Sequence, residues 1–171
     1  MRIAIVTDAW APQVNGVVTT LTRTSETLRG FGHEVSVVHP GAFRTFPCPS
    51  YPEIRLAWRP FSGVARRLEE ISPDRIHIAT EGPLGLAARR YCLRRRLRFT
   101  TSYHTQFPQY LRARAPVPLA VSFAFLRWFH GGAARTMVAT QRQREELRAR
   151  RFENLGAWTR GVDTQLFRPG D

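Results

Sequence analysis

The sequence predicts an α/β domain built on a doubly wound parallel sheet with helices on both faces. Three observations carry that expectation. Short apolar runs bounded by turn residues read as strands buried on both faces. Longer stretches between them place apolar residues three and four positions apart, the mark of amphipathic helices. The two kinds alternate along all 171 residues, the order that produces βαβ units and a parallel sheet.

Residues 3–6 (Ile-Ala-Ile-Val) form the first strand, which ends in Thr7-Asp8. Val17, Leu21 and Leu28 then share one helical face, and Gly30-Phe31-Gly32 closes the helix, because glycine accepts the left-handed conformation beyond a helix end. A second strand is expected over 34–39 and a third over 53–58, joined by a loop over 40–52. Residues 62–71 read as a helix and 75–79 as a fourth strand. Pro83 suits the first turn of the next helix, where its missing N–H costs nothing, and that helix runs to about Arg96. A fifth strand follows at 99–103, helical stretches near 106–113 and 119–131, a sixth strand at 136–139, a helix at 142–151 and a last strand at 155–158. The result is a Rossmann-like domain.

Composition narrows the function classes. Basic residues number 26 and acidic ones 13, a formal charge of +13, and every basic residue is Arg with no Lys present. Complete loss of Lys reads as a genome-wide bias more than as a device for gripping phosphate. Charge-free runs such as 99–111 and 115–126 fall well short of the about 20 residues that a spanning helix needs. The N-terminus is apolar too briefly for a secretory leader. Cys48 and Cys92 form neither a disulfide framework nor a zinc pattern and are expected as free thiols in a reducing cytoplasm. No histidine pair has metal-ligand spacing, so no metal is expected.

Ligands of open parallel sheets bind beyond the carboxyl ends of the strands. That rule selects residues 8–16, Glu81-Gly82, and His104-Thr105-Gln106. The first loop lacks the G-x-G-x-x-G of dinucleotide oxidoreductases. Asn15-Gly16 directly precedes a helix, where a bare backbone and the helix dipole can receive a phosphate; the pair also reads simply as a turn. His104 suits a hydrogen bond to a sugar hydroxyl or a proton transfer, and equally a bond to loop backbone. Glu81 is either an acceptor for a polyol or a partner of the helix dipole, and Asp8 offers the same pair of readings. His33, His39, His77 and His130 rank lower. Arg89, Arg90, Arg94, Arg95, Arg96 and Arg98 crowd one segment without forming a basic face, part of the run complementing a helix C-terminus. Arg112, Arg114 and Arg127 flank the apolar stretch 116–125, which reads as a core helix with a solvated edge or as a rest for an anionic membrane.

Three stretches together resemble one family: Asp8-Ala9-Trp10-Ala11-Pro12-Gln13-Val14-Asn15-Gly16-Val17, Tyr103-His104-Thr105-Gln106-Phe107, and Arg160-Gly161-Val162-Asp163-Thr164-Gln165-Leu166-Phe167-Arg168-Pro169. They are similar to the N-terminal half of a family 4 glycosyltransferase of the GT-B fold, most of all the GDP-mannose-dependent α-mannosyltransferases acting on lipid or glycolipid acceptors. Sulfoquinovosyl-diacylglycerol synthases are close relatives. The resemblance implies retaining transfer of a hexose from a nucleotide-sugar to an acceptor hydroxyl, with no cofactor and no obligatory metal. It places Gly16 against the donor diphosphate and His104 beside the donor sugar as the catalytic residue. Asp8, Gln13, Asn15 and Glu81 fall on the acceptor side of the cleft, and Arg160 and Asp163 in the hinge motif. It also implies an acceptor-side domain over 1–165, the start of a hinge at 166–171, and a nucleotide-sugar-binding C-terminal domain lying outside this chain. The isolated domain is accordingly expected to be inactive. An enzyme with a lipid acceptor is expected in the cytoplasm, peripheral on the inner face of the plasma membrane. The competing class is a basic, non-enzymatic module binding anionic lipid or nucleic acid through its charge. Scattered arginines and the lack of a nucleic-acid motif argue against specific nucleic-acid binding.

Overall fold

The computed structural model describes residues 1–48, 51–104 and 118–159, with the side chains of 51–53 excepted. The helix expected near 106–113, Arg112, Arg114, and the hinge motif with Arg160 and Asp163 lie outside the described residues.

Six strands form one parallel sheet: β1 (Arg2–Val6), β2 (Glu34–Val38), β5 (Arg75–Ile78), β6 (Phe99–Tyr103), β7 (Arg135–Val138) and β8 (Leu155–Ala157). Their order is β2-β1-β5-β6-β7-β8, with Ile5 opposite both Val37 and His77, and Thr101 opposite both Ile78 and Thr136. Among the described residues five helices accompany them: α1 (Gly16–Gly30), α2 (Phe61–Ile71), α3 (Pro83–Arg94), α4 (Leu119–Gly131) and α5 (Gln141–Ala149).

Alternation along each strand sorts the core into two layers. Ala4, Val6, Ile76, Ile78 and Phe99 face α2, α3 and α4 through Val64, Leu68, Leu84, Ala88 and Phe129. On the same side Tyr103, Val138 and Leu155 meet Phe123, Leu126 and Leu147 of α4 and α5. Ile3, Ile5 and Val35 point the other way, onto Leu21 of α1. Helices therefore cover both faces, as the strand–helix alternation requires.

One expectation is corrected. The segment expected as loop and third sheet strand folds instead as an antiparallel hairpin, β3 (Thr45–Cys48) with β4 (Tyr51–Ala57), a separate two-stranded sheet. The chain between β2 and α2 pairs with itself, so among the described residues the parallel sheet has six strands and not seven.

Some of the arginines are structural. Arg89 donates from Nε to the Phe129 carbonyl at 2.9 Å and from Nη2 to the Trp128 carbonyl at 2.7 Å, with its guanidinium 3.9 Å from the Trp128 ring centroid. It thus complements the C-terminal dipole of α4, a neighbouring helix, and not its own. Arg95 pairs with Glu69 across to α2. α4 is a core helix with a solvated edge: Phe123, Leu126, Phe129 and His130 are buried while Val121 and Trp128 are exposed. Cys48 and Cys92 are free, and burial pushes the Cys92 thiol up to about 12, which makes it inert.

Candidate functional site

The chain leaves β1 leftward to β2 and later returns on the right at β5, so the loops after β1 and β5 diverge. This is the topological switch point, the place where a doubly wound sheet opens a crevice at its carboxyl edge. Asp8 follows β1 there, and Thr80 and Glu81 follow β5.

Asp8 is 6% exposed and its carboxylate is held from three sides. Oδ2 accepts the Thr80 hydroxyl at 2.8 Å and the Gly85 amide at 3.4 Å, while Oδ1 accepts the Leu84 amide at 2.9 Å. The Thr80 hydroxyl in turn accepts the Asp8 amide at 2.7 Å. The N-cap residue of α3 is Gly82, which has no side chain to cap with. Asp8 performs that task from another strand, and a Cβ on Gly82 would lie 2.5 Å from the Asp8 carboxyl carbon. Of the two readings offered for Asp8 the structure bears out the second: its oxygens secure the N-terminus of α3. Burial, with Glu81 nearby, raises its pKa to about 6 against the lowering effect of these hydrogen bonds.

Asn15 caps α1, its Oδ1 accepting the amides of Val17 and Val18 at 3.0 Å each. Gln13 braces the loop: its Nε2 donates to the Asp8 carbonyl at 3.4 Å, and its Oε1 accepts from Asn15 Nδ2 at 3.3 Å. Gly16 is the first helical residue, and a Cβ there would meet nothing within 4 Å. Any group approaching this helix end therefore finds open space at Gly16, with two of the first-turn amides already satisfied by Asn15.

Glu81 lies at the crevice with a side chain 10% exposed, and His130 of α4 meets its Oε1 with Nε2 at 3.2 Å. His104 stands one residue beyond β6, half-buried, its ring edge-on to Trp158 at 5.3 Å between centroids. Trp158 also meets His77 at 5.7 Å. His77 is enclosed, its Nδ1 2.8 Å from the Thr100 hydroxyl and its Nε2 3.1 Å from that of Ser102, and burial lowers its pKa to about 3.

The structure thus gathers Asp8, Gln13, Asn15, Gly16, Glu81 and His104 along one carboxyl edge of the sheet. Three residues at this edge had no signal in the sequence: Thr80, Trp158 and His130. His130 sits at core spacing with Leu126 and Phe129, and nothing in the linear order links it to Glu81, 49 positions away. Among the described residues no group of three or more His, Cys, Asp or Glu could hold a metal ion.

Residues 14–166 match the family model for Glycosyltransferase Family 4. A GDP-mannose-dependent alpha-mannosyltransferase of Corynebacterium glutamicum is 30% identical over 187 residues, an alignment covering 99% of this chain and 45% of that protein. The enzyme of the same name from Mycobacterium tuberculosis is 28% identical, covering 99% and 50%. An alpha-monoglucosyldiacylglycerol synthase of Acholeplasma laidlawii is 31% identical over 127 residues, covering 64% of this chain and 31% of the synthase. The chain spans about half the length of the mannosyltransferases it matches.

Proposed function

Because this chain belongs to glycosyltransferase family 4, we propose that it supplies the acceptor side of a retaining hexosyl transfer, mannose from GDP-mannose being the donor and a lipid or glycolipid hydroxyl the acceptor. The observation that carries this reading is that Gly16, Glu81 and His104 all follow strands at the same carboxyl edge, on and beside the switch point. The mannosyltransferase names of the full-length matches favour the donor. The diacylglycerol product in another relative's name favours a lipid acceptor.

In this reading the bond between the anomeric carbon and the diphosphate oxygen breaks as the acceptor oxygen bonds to that carbon, and the acceptor proton passes to the Glu81 carboxylate. The N-terminus of α1 at Gly16 offers a positive dipole end to the developing phosphate charge. His104 hydrogen-bonds the donor sugar, and Glu81 accepts the hydrogen bond of the attacking hydroxyl. Arg160 and Asp163 organise the junction to a donor-binding domain that contributes most nucleotide contacts. No metal enters any of these steps.

The test compares the 171-residue chain with the enzyme that carries it, each given GDP-mannose or UDP-glucose and a diacylglycerol-type acceptor, with products identified by mass spectrometry. Mannosylated lipid is expected from the complete enzyme and none from the chain alone; robust transfer by the isolated chain would overturn the division of labour. Glu81→Gln is expected to lower turnover roughly ten- to a hundredfold while leaving the KM for GDP-mannose unchanged.

A lipid acceptor is met at a bilayer, and the reading places the protein on the cytoplasmic face of a membrane. Among the described residues no helix is long and apolar enough to cross one. Trp58, Phe61 and Trp128 are exposed, with Arg90 over Phe61 and Arg89 over Trp128, a pairing of apolar and cationic groups that suits an anionic interface. Vesicles containing acidic phospholipid are expected to bind the chain, and neutral vesicles to bind it far less. Equal binding to both removes the electrostatic argument.

A further inference from the structure

His130 is fully buried, yet both of its ring nitrogens meet polar groups. Nδ1 lies 2.9 Å from the Thr101 hydroxyl and Nε2 lies 3.2 Å from Glu81 Oε1. The rings of Tyr103, Phe129 and Phe152 enclose it at centroid distances of 6.2, 5.1 and 6.2 Å. The polar contacts continue inward. Thr101 meets the Thr136 hydroxyl at 3.1 Å, Thr136 reaches Asn154 Oδ1 at 3.4 Å, and Asn154 Nδ2 donates back to the carbonyls of His130 and Ala133 at 2.8 and 2.7 Å. The chain of contacts therefore starts in the interior between β6, β7 and α4 and emerges at the one carboxylate that opens on the crevice from β5.

A histidine that only filled space would need no such line of partners, and burying three polar side chains, His130, Thr101 and Thr136, is costly unless each is bonded. An ionised carboxylate only accepts hydrogen bonds, so the contact to Glu81 requires a proton on Nε2. We propose that His130 is a positioning residue for the acceptor: its Nε2–H holds Glu81 Oε1 and thereby turns Oε2 to the attacking hydroxyl, with Thr101 fixing the ring. This deepens the reading of Glu81 given above and rests on it. The ring itself touches no substrate.

Two measurements separate this proposal from the enzymatic reading beneath it. In ¹⁵N spectra of the histidine-labelled full chain, His130 is expected to carry a proton on Nε2, and Glu81→Gln is expected to shift that nitrogen. A ring protonated on Nδ1 alone overturns the proposal whatever the enzyme does. The kinetic measurement uses the complete enzyme. In His130→Gln the side-chain amide nitrogen stands near the place of Nε2 and keeps a donor for Glu81; in His130→Asn it stands near Nδ1 and does not. His130→Asn is expected to raise the acceptor KM roughly ten- to a hundredfold with the donor KM unchanged, and His130→Gln to recover it to within about threefold of wild type. Equal losses in the two variants at equal melting temperature, or donor and acceptor KM rising together, overturn it. Thr101→Val, which keeps the imidazole and frees it to rotate, is a second variant should the others fail to fold; it is expected to raise the acceptor KM alone, and an unchanged acceptor KM counts against the proposal. If the wild-type enzyme transfers no sugar, the acceptor role of Glu81 falls and the positioning role with it, while the nitrogen spectra still decide whether His130 holds Glu81.

Discussion

Gly85→Ala is expected to destabilise the domain by roughly 3 kcal/mol or more, at the upper end of what overpacking a core costs. A Cβ on Gly85 would lie 1.9 Å from the Thr80 carbonyl oxygen and 3.0 Å from its carbon, with Ile78 Cγ2 at 3.3 Å. The obstacle is backbone at the end of β5, so no rotamer change relieves it. α3 would have to lift from the strand end, which also draws the Leu84 and Gly85 amides away from Asp8. Gly30→Ala is the control, since nothing lies within 4 Å of its Cβ position, and it is expected to be neutral or slightly stabilising. Thermal melts of the two variants read the contrast; a drop of less than about 2 °C for Gly85→Ala, where 1 kcal/mol moves a domain of this size by roughly 2–4 °C, would show that α3 does not pack this closely.

Asp8 carries the second large effect, and its sign is unusual for a carboxylate. The folded pKa of about 6 lies above the ordinary carboxylate value of 3.8, so between these values the native state binds the proton more readily than the unfolded chain. The associated stabilisation is fully present below about pH 4 and is lost as pH rises through 6, a span of about 3 kcal/mol. Asp8→Asn is neutral at every pH and removes that dependence. Urea denaturation at pH 5 and pH 7.5 is expected to show the wild type gaining about 1 kcal/mol more than Asp8→Asn on acidification. Identical pH dependence in both proteins would mean that the hydrogen bonds from Thr80, Leu84 and Gly85 outweigh burial and keep the carboxylate in its ordinary range.

Thr80 and Gly85 also show why the residues at the carboxyl edge were easier to locate than to explain. The end-of-strand rule points to Asp8, Glu81 and His104 from their order in the chain alone, and the structure sets all three along that edge. Their partners lie far away in sequence: Thr80 is 72 positions from Asp8, and His130 is 49 from Glu81. Hydrogen bonds of that reach leave no periodicity to read. The hairpin of β3 and β4 was missed for a related reason. An apolar run reads alike whether it pairs in the parallel sheet or with its own neighbour, and β3 lies within the stretch expected as loop.

The amino-acid order by itself determined the alternation of strands and helices, the parallel sheet, the edge to which the end-of-strand rule points for a ligand, and membership of the family, whose model matches residues 14–166. These properties are local: hydrophobic period, glycine and proline placement, and short motifs each lie within a few turns of chain. The tertiary structure alone decided that Asp8 caps a helix it does not belong to, that Gly85 admits no side chain, and that His130 meets Glu81 through one ring nitrogen while the other joins a buried line of hydroxyls. Each of those follows from which strands become neighbours, and the close approach of β1, β5 and α3 exists only once the sheet has closed.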